Sequence, residues 1–158
     1  MIYQTLCTSF KVNMLNGLYS FGGIALNNYY NPDVFKIALY TTAANLSAAT
    51  TNYTTVGEVV GTGYVAGGQP LVVIPPYASP IPNGTTACLS FENVAWTNPS
   101  FTANGALIYD LTTENYFSGA LPSAIAVLSF GNNKQFTAST NGIIFPTDDS
   151  NNAVIRFP

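Results

Sequence analysis

From Val34 onward the chain is a series of short runs rich in strand formers, cut by glycine, proline and Asn-Gly. Val34-Phe35-Lys36-Ile37-Ala38-Leu39-Tyr40 opens the series, and a small-residue loop over 41–51 leads to a second run at 54–60. Gly61-Thr62-Gly63-Tyr64 and Ala66-Gly67-Gly68 then introduce Leu71-Val72-Val73-Ile74. Pro75-Pro76, with Pro80 and Pro82, forbid continuation as a central strand, because proline donates nothing to a ladder. Asn83-Gly84 is a hairpin signal. A strand with a bend near Glu92 follows over 87–96, then another over 101–111 with Asn104-Gly105 as a bulge or turn. The nearly all-apolar run 124–130 reads as a central strand buried on both faces. Phe136-Thr137-Ala138 and Ile143-Ile144-Phe145 flank Asn141-Gly142, and 153–157 alternates to close the series. Roughly seven to nine short strands, with turn signals about every 8 to 15 residues, predict a sandwich or barrel.

The first two dozen residues differ. Thr8 or Ser9 can cap a helix, and Phe10, Met14, Leu18 and Phe21 then recur at helical spacing until Gly22-Gly23. Asn16-Gly17 weakens that pattern. The expected architecture is therefore all-β, an antiparallel β-sandwich of jelly-roll type over residues 34–158. A helix and arm over residues 1–33 precede it.

Composition sets further bounds. Of 158 residues, 7% are charged and none is histidine, against roughly 25% charged in ordinary soluble domains. Asn, Thr and Ser replace charge on the expected surface, and such a surface loses little when it is buried against another protein. The basic residues are Lys11, Lys36, Lys134 and Arg156. They are too few and too scattered to replace counterions on nucleic acid or to draw the chain to an anionic membrane. The opening Met-Ile-Tyr-Gln-Thr lacks a basic region before an apolar stretch, so no signal peptide is expected. No run has the length of a membrane-spanning helix. Cys7 and Cys88 form no CxxC pattern; pairing is open, but two buried free thiols are the simpler expectation.

The missing histidine removes the usual general base, the common nucleophile pairs and most zinc sites. The glycines at 57, 61, 63, 67 and 68 lack the lysine and the strand-to-helix setting of a phosphate loop, so turns at positive φ are expected there. A carboxylate pair is the one economical catalytic option, with Glu58, Glu92, Asp110 and Glu114 as candidates. Glycoside cleavage needs two acids about 5 to 10 Å apart, one of them with a raised pKa. Glu92, among Phe91, Val94 and Trp96, is the one that burial would raise. Trp96, Tyr64 or Tyr77 would serve as sugar platforms. Asp148-Asp149 before Ser150-Asn151-Asn152 has oxygen ligands for calcium but no EF-hand spacing, so a solvated turn is expected. The Asn-x-Ser/Thr tripeptides at Asn45, Asn52 and Asn83 need no explanation beyond chance in so Asn- and Thr-rich a chain. No catalytic residue, cofactor or metal is expected.

Several longer blocks have a recognisable order. They are Phe35-Lys36-Ile37-Ala38-Leu39-Tyr40-Thr41, Thr50-Thr51-Asn52-Tyr53-Thr54-Thr55, and the run 57–68 from Gly57-Glu58-Val59 to Ala66-Gly67-Gly68. Asn93-Val94-Ala95-Trp96, the run 101–109 and Ala126-Val127-Leu128-Ser129-Phe130-Gly131 continue the pattern, and Ser9-Phe10-Lys11 precedes it. In these blocks the chain resembles a family of small proteins encoded among the virion genes of tailed bacteriophages. The Pro-rich segment 75–82 departs from that pattern. The resemblance implies a non-enzymatic virion part. A capsid decoration or cement protein, expected as a homotrimer, comes first, and a tail, neck or fibre component second. A carbohydrate-binding module is the alternative from another class. The expected partners are copies of the chain itself and phage capsid or tail proteins. Phe10, Met14, Leu18, Tyr29 and Tyr30 are the residues expected to grip a neighbour.

Overall fold

The strand-forming runs pair antiparallel in every sheet. The computed structural model describes residues 1–25, 28–30, 32–78, 86–112, 121–137, 142–145 and 153–157, with side chains at all of these except 23–25, 28–30, 77 and 78. One sheet has the order β1 (Thr5–Leu6), β10 (Ser123–Phe136), β9 (Phe101–Asp110), β4 (Phe35–Tyr40), β5 (Gln69–Leu71). A second has the order β12 (Ile155–Phe157), β7 (Ala87–Phe91), β6 (Val73–Ala78). β2 (Gly23–Ala25) pairs with β3 (Asn28–Tyr30), and β8 (Val94–Ala95) with β11 (Gly142–Ile143). α1 (Thr8–Leu15) is the one helix among the described residues. The described chain is mostly β, in antiparallel sheets, with one short helix among the described residues.

Side-chain alternation explains what covers the larger sheet. Register places Lys36, Ala38 and Tyr40 on one face with Tyr109, Leu107 and Gly105. This face lies under irregular chain: the Tyr53 ring stacks on Tyr109 at 4.7 Å, and Ile2 sits against Gly105. The opposite face carries Phe35, whose ring meets Phe91 of β7 at 5.9 Å and Phe21 at 5.2 Å. With both faces covered, β4 and β9 are buried almost throughout. Residues of both larger sheets, the small β8 and α1 contribute to one apolar core.

The helix is shorter than its apolar spacing predicts. It ends at Leu15, with Gly17 at φ 71° donating to the Met14 carbonyl at 3.0 Å and Leu18 donating to that of Asn13 at 3.0 Å. This paired arrangement is a Schellman stop, for which glycine is the preferred residue. Leu18 and Phe21 thus lie beyond the helix, and the stop is Asn16-Gly17 rather than Gly22-Gly23. Neither Thr8 nor Ser9 caps the start: Cys7 is the N-cap, with no side-chain bond. Backbone partners do that work, because Cys7 and Thr8 donate to Ile125 and Ala48 at 2.9 Å each. The segment before β4 is tied down as well. Ser20 and Asp33 exchange two hydrogen bonds of 2.7 Å, which close the loop carrying β2 and β3.

Two strand expectations need correction. Residues 54–60 form no strand; they turn at Val56-Gly57 and touch β4 by a single bridge, Tyr40 to Glu58. The strand predicted over 71–74 divides at Val72 between the two sheets. β6 then runs on through Pro75-Pro76, because it is an edge strand with a register shift between Ile74 and Tyr77. The bend near Glu92 is present, separating β7 from β8. Asn104-Gly105 lies within continuous β9, and the irregularity falls on its neighbour, where β10 bulges between Ser129 and Lys134. Asn83-Gly84, Pro80, Pro82 and Asn141 lie outside the described residues.

Candidate functional site

Glu58 draws three hydrogen-bond donors onto one carboxylate. Its carboxylate accepts from the Tyr53 hydroxyl at 2.6 Å, the Tyr64 hydroxyl at 2.7 Å and the Gly67 N–H at 2.7 Å. The Tyr64 oxygen in turn accepts from Leu39 N–H at 2.8 Å, on the part of β4 that extends past β5. Tyr109 donates to the Gly67 carbonyl at 2.7 Å, and Tyr40 to that of Thr54 at 2.5 Å. Burial first pushes the Tyr40, Tyr53 and Tyr64 hydroxyls up from the usual 10.0; Glu58 comes second, through its charge at Tyr40 and through its hydrogen bonds at Tyr53 and Tyr64. Residues 53–67 are thereby strapped across one face of the large sheet by an anionic hub with neutral phenol donors.

The other acids do not join it. Glu92 is exposed, because β7 ends at Phe91 and the chain turns it outward; the expectation that it is buried is corrected. Asp110 is fully buried at the end of β9 and accepts from Thr112 N–H at 2.7 Å. Asp110 registers with Phe35 and Glu58 with Tyr40. Their backbones are therefore offset by five residues along β4, roughly 16 Å, and stand on opposite sides of that strand. Glu114, Asp148 and Asp149 lie outside the described residues. Two surface hollows of about 270 and 240 Å³ are lined by described residues, none of them acidic.

Trp96 is no exposed platform. It is 1% exposed, enclosed by Tyr64, Phe101 and Phe136, and its Nε1–H has no partner among the described residues. Tyr64 is half-buried and committed to Glu58, while the Tyr77 side chain is outside the described set. Cys7 and Cys88 are buried thiols that are not joined in a disulfide, and burial pushes the Cys7 thiol up to about 11. Among the described residues, no group of three or more Cys, Asp or Glu could hold a metal.

The residues expected to grip a neighbour separate. Phe10 is fully buried in the chain's own core, so it presents no surface; Met14 is half-buried against the same core. Leu18 is exposed. The side chains of Tyr29 and Tyr30 are outside the described set. Sequence reasoning missed the more exposed Val12 and Leu15 on the other side of α1, and it missed Val56, Val60 and Val65 on the strap. The three valines are 70%, 95% and 71% exposed. Their signal was alternation with glycine and with the inward residues Glu58, Val59 and Tyr64.

No protein-family model, curated protein or solved structure matches the chain.

Proposed function

We propose that this is a non-enzymatic structural protein of a tailed-bacteriophage particle. Its sheets pack as a β-sandwich, and its first placement is capsid decoration or cement. Copies of the chain and of capsid proteins are its partners. One observation carries the assembly half of this reading: between Lys36 and Glu92 the single charged residue is Glu58, and three donors already surround its carboxylate. The described part of that stretch therefore brings no unbonded charge of its own to its surface. Such a surface desolvates at low cost, as protein interfaces require. The phage half is supported by the resemblance of the sequence blocks alone. The described acids support glycoside cleavage poorly, since Glu58 and Asp110 stand apart, and the buried Trp96 leaves the carbohydrate-binding reading without its main platform. No helix among the described residues is long and apolar enough to cross a membrane.

The test is quantitative mass spectrometry of purified particles with a reconstruction that locates the chain. On the order of hundreds of copies at symmetric head positions is the expected result. A count of roughly three to twelve assigns it to the tail or neck. Absence from the particle sinks the virion reading.

A further inference from the structure

Trp96 is the chain's single tryptophan. Among rings that keep their protons, indole gives up an electron most readily. An oxidised indole ordinarily sheds its positive charge by passing the Nε1 proton to an acceptor or to water. Trp96 is 1% exposed, and its Nε1–H has no partner among the described residues, so neither route is open to it. The charge then stays on a ring held in apolar surroundings, which is costly. It leaves through a neighbouring ring that can give both an electron and a proton. Phe101 and Phe136 enclose Trp96 but have no proton to give. Tyr64 has one, and its ring lies nearly parallel to the indole, with centroids 6.4 Å apart and 23° between planes.

A phenol surrenders its electron easily only when its proton leaves with it. Burial and the bond to Glu58 keep Tyr64 a neutral phenol, so it needs a base at hand. Glu58 Oε1 accepts from its hydroxyl at 2.7 Å, within proton-transfer reach. The other oxygen, Oε2, accepts from the Tyr53 hydroxyl at 2.6 Å, and the Tyr53 ring stacks on Tyr109. We propose that Trp96, Tyr64, Glu58 and Tyr53 form a relay that moves a one-electron oxidation off the buried indole and onto the phenols. The oxidant is a small inorganic radical such as the carbonate radical anion, which takes one electron from Trp96 and leaves as carbonate. Tyr64 then gives an electron to the indole cation and its hydroxyl proton to Oε1. That restores Trp96 and leaves a neutral Tyr64 phenoxyl beside a carboxylic acid. In the second step an electron passes from Tyr53 to Tyr64, the Tyr53 proton goes to Oε2, and the Oε1 proton returns to Tyr64. The core indole is thus returned intact, and the radical rests on half-buried Tyr53. This activity is independent of any place in a particle.

Laser flash photolysis of the purified full chain is the test. A flash that indole absorbs and phenol does not ejects one electron from Trp96, and dissolved oxygen takes it up as superoxide. The tryptophanyl absorption is expected to decay at a first-order rate independent of protein concentration, with the tyrosyl absorption rising at the same rate. The decay should slow in D2O, because a proton moves with the electron. Tyr64→Phe, which keeps the ring without the hydroxyl, should slow the decay on the order of tenfold or more and abolish the matching rise. Glu58→Gln, which keeps the shape without the base, should slow it by about a hundredfold. Tyr3→Phe, at an exposed phenol, should change neither signal. Tyr53→Phe should leave the decay as it is and alter the electron paramagnetic resonance spectrum of the trapped tyrosyl radical. Circular dichroism checks that each variant is folded, and the D2O comparison needs no variant. Absence of a tyrosyl rise in the wild type, equal rates in H2O and D2O, or an unchanged decay in Tyr64→Phe would each overturn the relay. An unchanged resonance spectrum in Tyr53→Phe would overturn its second step.

Discussion

At the scale of single residues, the three donors around Glu58 make it the side chain whose loss should be felt most for its size. Glu58→Gln keeps the volume but turns an amide donor toward groups that themselves donate. A destabilisation of about 1.5–3 kcal/mol is expected from urea unfolding; a change under about 0.5 kcal/mol would show that the hub is not a clamp. The same cluster sets an alkaline limit. Tyr40, Tyr53 and Tyr64 hold their protons more tightly folded than unfolded, so the stability they confer is complete below 10.0 and is lost as pH rises beyond it. Thermal midpoints should fall above about pH 10, and tyrosinate absorbance should develop later in the native protein than in urea. Cys7, with its thiol near 11, should resist alkylation at neutral pH until the chain unfolds.

Glycine gives the test at the scale of elements. Gly17 and Gly68 have nearly the same φ, 71° and 67°, but opposite surroundings. A Cβ on Gly17 meets nothing within 4 Å, whereas one on Gly68 would collide with the Ile37 carbonyl oxygen. Gly17→Ala should therefore cost only the left-handed strain, about 1–2 kcal/mol. Gly68→Ala must also push the strap off β4 and should cost clearly more. Equal midpoint shifts for the two in urea would refute this account of how the strap is seated. The sheet edges are guarded against pairing with another chain. Pro70 lies in edge strand β5 and Pro75-Pro76 in edge strand β6, while exposed Lys134 follows the bulge of β10. Prolines, lysines and bulges discourage one edge from pairing with another.

For the whole molecule, scarce charge predicts indifference to salt. Thermal midpoints at about 0.05 and 0.5 M NaCl should agree within roughly 3 °C; a larger shift would reveal an electrostatic contribution that the sequence does not suggest. The sequence by itself determined the β-rich class, the bend at Glu92 and the apolar burial of β4, β9 and the first half of β10. These follow from local propensity, turn chemistry and hydrophobic runs, which act within a few residues. It also foresaw positive φ in the glycine run, found at Gly57, Gly63, Gly67 and Gly68 but not at Gly61, which instead meets Phe101 closely. Only the tertiary structure decided that residues 54–60 are a strap rather than a strand, because they meet β4 at a single bridge and are otherwise held by the Glu58 carboxylate, which accepts from Tyr53, Tyr64 and Gly67. It alone sent Phe10 and Trp96 inward, turned Glu92 outward and left three valines in solvent. The face a side chain takes depends on what crosses above it, and here that covering comes from residues distant in sequence.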